Sequence, residues 1–329
     1  MTFSLEPEQQ ANFTPSTVGV VDIGSNTIHL IIVRADGHQI EVLDDEKEMA
    51  RLGDDVSFKG EISPAKYELI LQLLGTYAKR ARSFNARLII FGTEPLRAAR
   101  NAARLVQEAK EKLGLTIHVF SQTEEALFSF RGATSTLNLP PHFVVADIGG
   151  GSTEIVLVDF NQISGIARLP VGSIKLKALT KAADPLTAAQ VHAAQFKLGE
   201  IFATARWPKV MRPFQTGVLA GGNAKAVTRL FNKGRRGETL TRDEVAQAVT
   251  LATTRPSAQL AETYNLVASR AQTFGTGALI MGAVMDKFGL DNVVVSKYGI
   301  REGVILSYAY YGEAWRETLQ TLEEPNPAA

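Results

Sequence analysis

Short apolar blocks recur along the chain from residue 18 onward, and most of them stop at glycine or at small polar residues. VGVVDIGSNTIHLIIV (18 to 33) reads as two strands joined by a tight turn, because two apolar runs flank D-I-G-S-N-T. Another strand is predicted near 39 to 44. Ser63-Pro64 supplies a serine N-cap and a proline in the first turn of a helix. RLIIFGT (87 to 93) is a buried strand, and a helix is predicted from about 94 to 112. TIHVFS (116 to 121) is a strand, and Ser121-x-x-Glu124 opens the next helix with a capping-box pattern. NLPPH (138 to 142) reads as a linker between domains.

After the linker the pattern restarts. HFVVADIGGGSTEIVLV repeats the opening hairpin at an offset of 125 residues, which aligns Asp22 with Asp147 and Val33 with Val158. Both copies run apolar strand, D-I-G, small polar residues, apolar strand, so an internal duplication is expected. Helical segments follow near 185 to 206 and 242 to 254. VLAGGNAKAVTRL (218 to 230) reads as strand, glycine turn, helix. A helix over 270 to 288, a strand NVVVS (292 to 296) and a closing helix REGVILSYAYYGEAW complete the series. Strands and helices alternating in two halves predict an α/β fold.

Composition narrows the choice. A chain of 329 residues suits two domains of ordinary size. The net charge of +1 argues against a general nucleic-acid binder. The chain has no cysteine, which removes disulfides and thiolate metal sites. Its first 17 residues are polar, lack a signal-peptide pattern and read as a loose tail. No apolar run reaches the roughly 18 residues of a membrane helix. A soluble cytoplasmic protein, not bound to membrane, is the expectation.

The glycine hairpins carry the candidate chemistry. Gly149, Gly150 and Gly151 interrupt an apolar strand, a costly choice unless something must approach the backbone. Successive backbone N–H groups in such a turn form a nest for an anion, most often phosphate. Ser25, Thr27, Ser152 and Thr153 add hydroxyl donors. Asp22 and Asp147 repel phosphate but can hold a divalent cation that bridges to it. Two such hairpins facing across a cleft would grip one phosphate chain from both sides.

These residues resemble the exopolyphosphatase/guanosine pentaphosphate phosphatase (Ppx/GppA) family of the acetate and sugar kinase/Hsp70/actin superfamily. The resemblance rests on VDIGSNTIHL, RLG at 51 to 53, FGTEPLRAARN at 91 to 101, and TEEA at 123 to 126. DIGGGSTE at 147 to 154, LPVGSIKL at 169 to 176, DP at 184 to 185, AGGNAKAV at 220 to 227 and YGIREGV at 298 to 304 continue it in family order. It implies two duplicated actin-like (ribonuclease H-like) ATPase-type domains, residues 18–138 and 139–305, with an active-site cleft between them. Residues 306–329 would form a C-terminal helix and tail packing back on the first domain, as in the short two-domain form.

The resemblance further implies hydrolysis of a terminal phosphoanhydride with Mg²⁺ or Mn²⁺. Glu125 matches the family's catalytic base, Glu154 a second acid placing water or metal, and Arg97 an arginine near the reacting phosphate. Asp147 and Asp22 match the metal-linked aspartates, with Glu154 beside them. Gly24, Ser25, Asn26, Gly149, Gly150, Gly151, Ser152, Gly221 and Gly222 match the phosphate cradle. His29 and Arg270 fall at positions where some members contact a guanosine phosphate ligand; apart from the resemblance, the basic residues Lys175, Lys177, Arg168 and the KGRR stretch (233 to 236) could line a path for a polyanion substrate. Arg301 and Glu302 are expected to pair with each other. Gln122, Asn223, Glu94 and Pro95 depart from the family's usual residues; Asn223 is expected to take a left-handed turn position.

Four functions fit. The leading one is release of orthophosphate from the end of inorganic polyphosphate. Removal of the 5′-phosphate of pppGpp to give ppGpp, a step of the stringent response, is the close competitor. An ATP-dependent kinase and a non-catalytic sensor of polyphosphate or (p)ppGpp are more distant. The resemblance also allows a homodimer.

Overall fold

The computed structural model describes residues 16–36, 39–209, 212–231 and 239–317. The first 15 residues, the KGRR stretch and the end of the chain lie outside the described residues. The first half contains β1 (Ser16–Ile23), β2 (Ile28–Asp36), β3 (Gln39–Glu48), α1 (Leu52–Lys59), α2 (Pro64–Ser83), β4 (Arg87–Gly92), α3 (Glu94–Ala98), α4 (Ala102–Leu113), β5 (Ile117–Val119) and α5 (Gln122–Thr134). The second half contains β6 (Phe143–Ile148), β7 (Thr153–Asp159), β8 (Gln162–Leu169), α6 (Ser173–Leu179), α7 (Ala188–Thr204), β9 (Thr216–Ala220) and α8 (Gly222–Phe231). It continues with β10 (Thr239–Thr241), α9 (Arg242–Thr254), α10 (Ser257–Tyr264), α11 (Ala268–Ala271), α12 (Phe274–Phe288), β11 (Asn292–Val295) and α13 (Ile300–Tyr311).

The duplication extends to strand order. The first sheet runs β3-β2-β1-β4-β5 and the second β8-β7-β6-β9-β11, with β10 added antiparallel at the edge. In each, an antiparallel meander of three strands is followed by two parallel strands. The hairpins share a register: Asp22 faces His29 across the first ladder, and Asp147 faces Glu154 across the second. Strand β1 is buried on both faces because each has a cover. Val21 and Ile23 pack on α2, through Ile70 and Leu74, while Val18 and Val20 join Phe128 and Val304 on the other side.

Helix α5 is the element shared by the two halves. Its Leu127 and Phe128 pack on the first sheet, and its Ala126, Phe130 and Ala133 pack on the second. A helix buried all round needs apolar residues on all faces, and LFSF supplies them. Helix α13 crosses α5 at backbone contact. A Cβ on Gly132 would lie 1.9 Å from the Gly299 carbonyl oxygen, and one on Gly303 would lie 1.8 Å from that of Phe128. Beyond α13, Trp315 packs near the rings of Phe120, Phe128 and His118, and Arg316 reaches Glu124 at 2.6 Å. Residues 315 and 316 therefore pack against the segment from β5 to the start of α5. Among the described residues no helix is long and apolar enough to cross a membrane.

Some elements differ from those predicted. The helix expected over 94 to 112 is two helices. Ala99 is extended (ψ 127°), and the Asn101 side chain bonds both backbone groups of Ile62 at 3.0 and 2.8 Å. A chain tied to that loop cannot continue one straight helix. The helix over 270 to 288 breaks at Gln272 and Thr273 for a similar reason, since the Thr273 hydroxyl bonds Asn223. Helices α1, α6 and α10 and strand β8 had no separate sequence signal.

Gly303→Ala tests the crossing. Alanine is favoured over glycine in a helix by about 1 kcal/mol, but the clash with the Phe128 carbonyl opposes it. We expect a net loss of about 1–3 kcal/mol, read as a lower urea midpoint. A gain in stability would show that α5 and α13 are not locked together.

Candidate active site

Each glycine hairpin closes by the same bond. The Gly24 N–H donates to the Thr27 carbonyl at 3.0 Å, and the Gly149 N–H donates to that of Ser152 at 3.0 Å. These two amides are thus spent within the turn. The turn carbonyls are also satisfied from behind. Gly53 N–H donates to Ser25 and Arg51 N–H to Asn26; Ser173 N–H donates to Gly149, and Ile174 and Lys175 N–H to Gly150. With the carbonyls held in the second layer, the turns present their amide side to the cleft, the arrangement of an anion nest. RLG at the start of α1 and PVGS at the start of α6 are thus equivalent parts of the duplication.

The two turns touch. A Cβ on Gly150 would lie 2.9 Å from Ser25 Cβ, and one on Gly172 would lie 2.4 Å from the Gly150 carbonyl carbon. Side chains at these positions would push the loops apart. Between and beyond them lies a cleft of about 340 Å³. Asp22, Glu94, Glu125 and Asp147 line it, with Lys47, Lys225, Arg229, Arg270 and Arg301. Gly24, Ser25, Asn26, Gly149, Gly150, Gly151, Ser152, Gly221, Gly222 and His29 line it as well. Glu154 and Arg97 are not in the lining; they sit behind Glu125. Lys175 is also outside the lining and enters the site through its backbone N–H alone.

Burial sets the electrostatics. It pushes Asp22 up to about 6, against the attraction of Arg301, whose Nη1 is 3.7 Å away. It also raises Asp147, although the Ser129 hydroxyl donates to that carboxylate. Glu125 is pushed up to about 7 by burial, with Arg97 opposing. Glu154 is raised well above its ordinary value by burial and then by Glu125 beside it. Glu125 and Glu154 therefore titrate as a pair. Arg97 Nη1 stands 2.7 Å from Glu125 Oε2 but aligns its hydrogen bond on the Phe120 carbonyl, also at 2.7 Å. Glu125 Oε2, Glu154 Oε1, Arg97 Nη2, Asn26 Nδ2 and Arg301 Nε are buried without a hydrogen-bond partner in the protein. Buried polar groups are nearly always paired, so this concentration at one cleft marks a place built for something else.

The capping box explains which glutamate is free. Glu124 accepts from Ser121 N–H at 2.8 Å, and Ser121 Oγ accepts from Glu124 N–H at 3.1 Å. Arg316 holds the other oxygen of Glu124. Glu125, one residue on, turns toward Arg97 and the cleft.

Three expectations need correction or addition. Arg301 does not pair with Glu302. Glu302 caps the Gly299 N–H at 2.8 Å, while Arg301 points to Asp22 and to Nδ1 of His29. His29 also bonds Asp45 through Nε2 at 2.8 Å. Burial first, then Arg301, lowers its pKa to about 3. It is a neutral ring holding Arg301 in place. Asn223 is not in a left-handed turn; Gly221 takes that conformation (φ +97°). Asn223 is buried in α8, donates to Ser173 Oγ at 2.8 Å and accepts from Thr273. Sequence reading missed Ser129, Lys47 and Lys225 in the site. Ser129 lies one turn after Glu125 on α5, a spacing that could have flagged it.

The sequence profile of the Ppx/GppA phosphatase family matches residues 31–311. The solved Aquifex aeolicus PPX-GPPA enzyme is similar in structure, at 25% identity and a TM-score of 0.74, covering 89% of this chain and 100% of that one. An exopolyphosphatase-like protein is similar at 25% identity and a TM-score of 0.80, covering 89% and 97%. An exopolyphosphatase from Cytophaga hutchinsonii shares the fold at 19% identity and a TM-score of 0.79, covering 89% and 98%.

Asp22 offers a test of the electrostatics. Its carboxyl titrates near 3.8 unfolded and about 6 folded. Between these values the folded state holds a proton that the unfolded chain has lost. The stability of the protonated form is full below 3.8 and is lost as pH rises through 6. Asp22→Asn keeps the neutral form at every pH. In chelator, its unfolding free energy should gain on wild type by roughly 2–3 kcal/mol between pH 4 and 7.5. An equal difference at both pH values would refute the buried-charge assignment.

Proposed function

This chain belongs to the Ppx/GppA phosphatase family, and from that premise we propose that it is an exopolyphosphatase releasing terminal orthophosphate from inorganic polyphosphate. The observation that carries the reading is Glu125. It is buried in the cleft lining and poised near neutral pH by burial against Arg97, whose Nη1 stands 2.7 Å from Oε2. A general base works best with a pKa near the operating pH.

The terminal phosphoryl group rests on the turns around Ser25–Asn26 and Gly150–Ser152. Lys47, Lys225, Arg229, Arg270 and Arg301 offset the charge of the chain behind it. Glu125 takes a proton from the attacking water, the water oxygen bonds to the terminal phosphorus, and the anhydride oxygen leaves with the chain. Arg97 keeps Glu125 oriented. Glu154 stands behind Glu125 and titrates with it as a pair.

Asp22 and Asp147 suit Mg²⁺ or Mn²⁺. Both line the cleft, both are raised by burial, and both offer oxygen to a hard cation. Among the described residues no group of three or more His, Asp or Glu is placed to hold a metal. Magnesium commonly binds through one or two carboxylates plus phosphate oxygens. When bound, the cation would neutralise charge on the phosphate oxygens.

Substrate choice follows from the lining. Its larger apolar members are Met49, Ile148, Leu266, Val267 and Ile300, and no aromatic ring is among them. Among the described lining residues no Phe, Tyr or Trp is placed to stack a guanine, and the His29 ring is tied between Asp45 and Arg301, whereas Lys47, Lys225, Arg229, Arg270 and Arg301 line the cleft. Orthophosphate release from long-chain polyphosphate and from pppGpp, measured side by side with magnesium, tests this. Polyphosphate should be cleaved faster, and Glu125→Gln should lower kcat by about 10²–10⁴-fold. Preference for pppGpp would make the chain an alarmone phosphatase. Unchanged turnover in Glu125→Gln would remove the proposed base.

A further inference from the structure

Glu94 places a carboxylate in the phosphate cradle. Ser25 Oγ of the first hairpin donates to Glu94 Oε2 at 3.0 Å. On the other side, a Cβ on Gly151 of the second hairpin would lie 2.1 Å from the same oxygen. One carboxylate oxygen thus sits between the two turns, in contact with both. Under the function proposed above, that is where a phosphoryl oxygen must go.

The backbone at this residue is fixed while the side chain has room. Thr93 N–H donates to the Ile23 carbonyl at 3.3 Å, and Leu96 fills the space over Gly92, where a Cβ would meet it at 2.3 Å. Pro95 and Leu96 are buried. Glu94 itself is half-buried and lines the open cleft. Rotation about its side-chain bonds can carry the carboxylate out of the cradle without moving the strand or helix. Its partner in the cradle is an uncharged hydroxyl, so no ion pair has to break there.

We propose that Glu94 is a specificity-determining residue, an internal anion that competes with phosphate for the cradle. A ligand enters only by displacing one negative charge with another. A phosphate chain makes up for this by reaching Lys47, Lys225, Arg270 and Arg301 along the same cleft. A single orthophosphate, the product, spans only the cradle and has fewer such contacts. Glu94 therefore weakens product retention and favours ligands of several phosphates.

This inference rests on the phosphate-binding part of the proposed function but not on catalysis, and its test reads binding directly. Orthophosphate is titrated by calorimetry, with magnesium present, into wild type, Glu94→Gln and Glu94→Ala. Glu111→Gln, an exposed change on α4 far from the cleft, is the control. Both Glu94 variants should bind orthophosphate about tenfold tighter, a difference of about 1.4 kcal/mol, while the control matches wild type. Orthophosphate should also become a stronger inhibitor of both variants, with KM lowered more than kcat. Equal or weaker binding by the Glu94 variants, including none by any protein, overturns the proposal. So does a loss of Mn²⁺ affinity in Glu94→Gln, which would make Glu94 a metal ligand. If wild type hydrolyses neither polyphosphate nor pppGpp while the variants still bind orthophosphate more tightly, the catalytic reading falls and this one stands.

Discussion

Four carboxylates, Asp22, Glu125, Asp147 and Glu154, are raised above their ordinary values by burial in one region. Like charges removed from water repel strongly, and each exacts a desolvation cost. The fold meets this in part. Arg301 approaches Asp22, Arg97 stands beside Glu125, and Ser129 donates to Asp147. The remainder is left unmet, as Glu154 Oε1, buried without a hydrogen-bond partner, shows. A protein that spends stability at one cleft in this way has built it for a ligand. Under the proposed function, a bound cation would supply the missing positive charge.

Helix α5 holds this arrangement in register. Packed on both sheets, it delivers Glu125 from its first turn to the cleft and Ser129 from its second to Asp147, which lines that cleft. The glycine crossing with α13 carries Arg301 to Asp22 from the far end of the chain. Core packing and site geometry are therefore one problem: any shift of α5 relative to α13 moves a carboxylate relative to its counter-charge. Glu94 adds a local competition within that frame, an anion of the protein's own held where the substrate's anion belongs.

The parts legible in the sequence were those written locally. The two D-I-G hairpins, their 125-residue offset, the Ser121/Glu124 capping box and helix α9 all follow from short patterns. The structure shows the duplication in strand order as well. What stayed hidden depends on contacts between distant residues. The break at Ala99 to Asn101 comes from a bond to Ile62, and the role of Arg301 comes from a carboxylate near the other end of the chain. Helices α1 and α6 are short and carry weak periodicity. Only the backbone bonds from their start to the hairpin turns reveal them as equivalents. Glu94 read as an unusual residue at a helix start, and its contact with Ser25 and Gly151 has no sequence signature.

The most direct test of the central claim is Mn²⁺ binding, followed by its electron paramagnetic resonance signal with saturating imidodiphosphate, in wild type, Asp22→Asn, Asp147→Asn and Glu154→Gln. If the hairpin aspartates hold the cation while Glu154 acts from behind Glu125, both Asn variants should lose affinity by about tenfold or more and Glu154→Gln should retain it. Full affinity in the Asn variants, or loss confined to Glu154→Gln, would contradict the account.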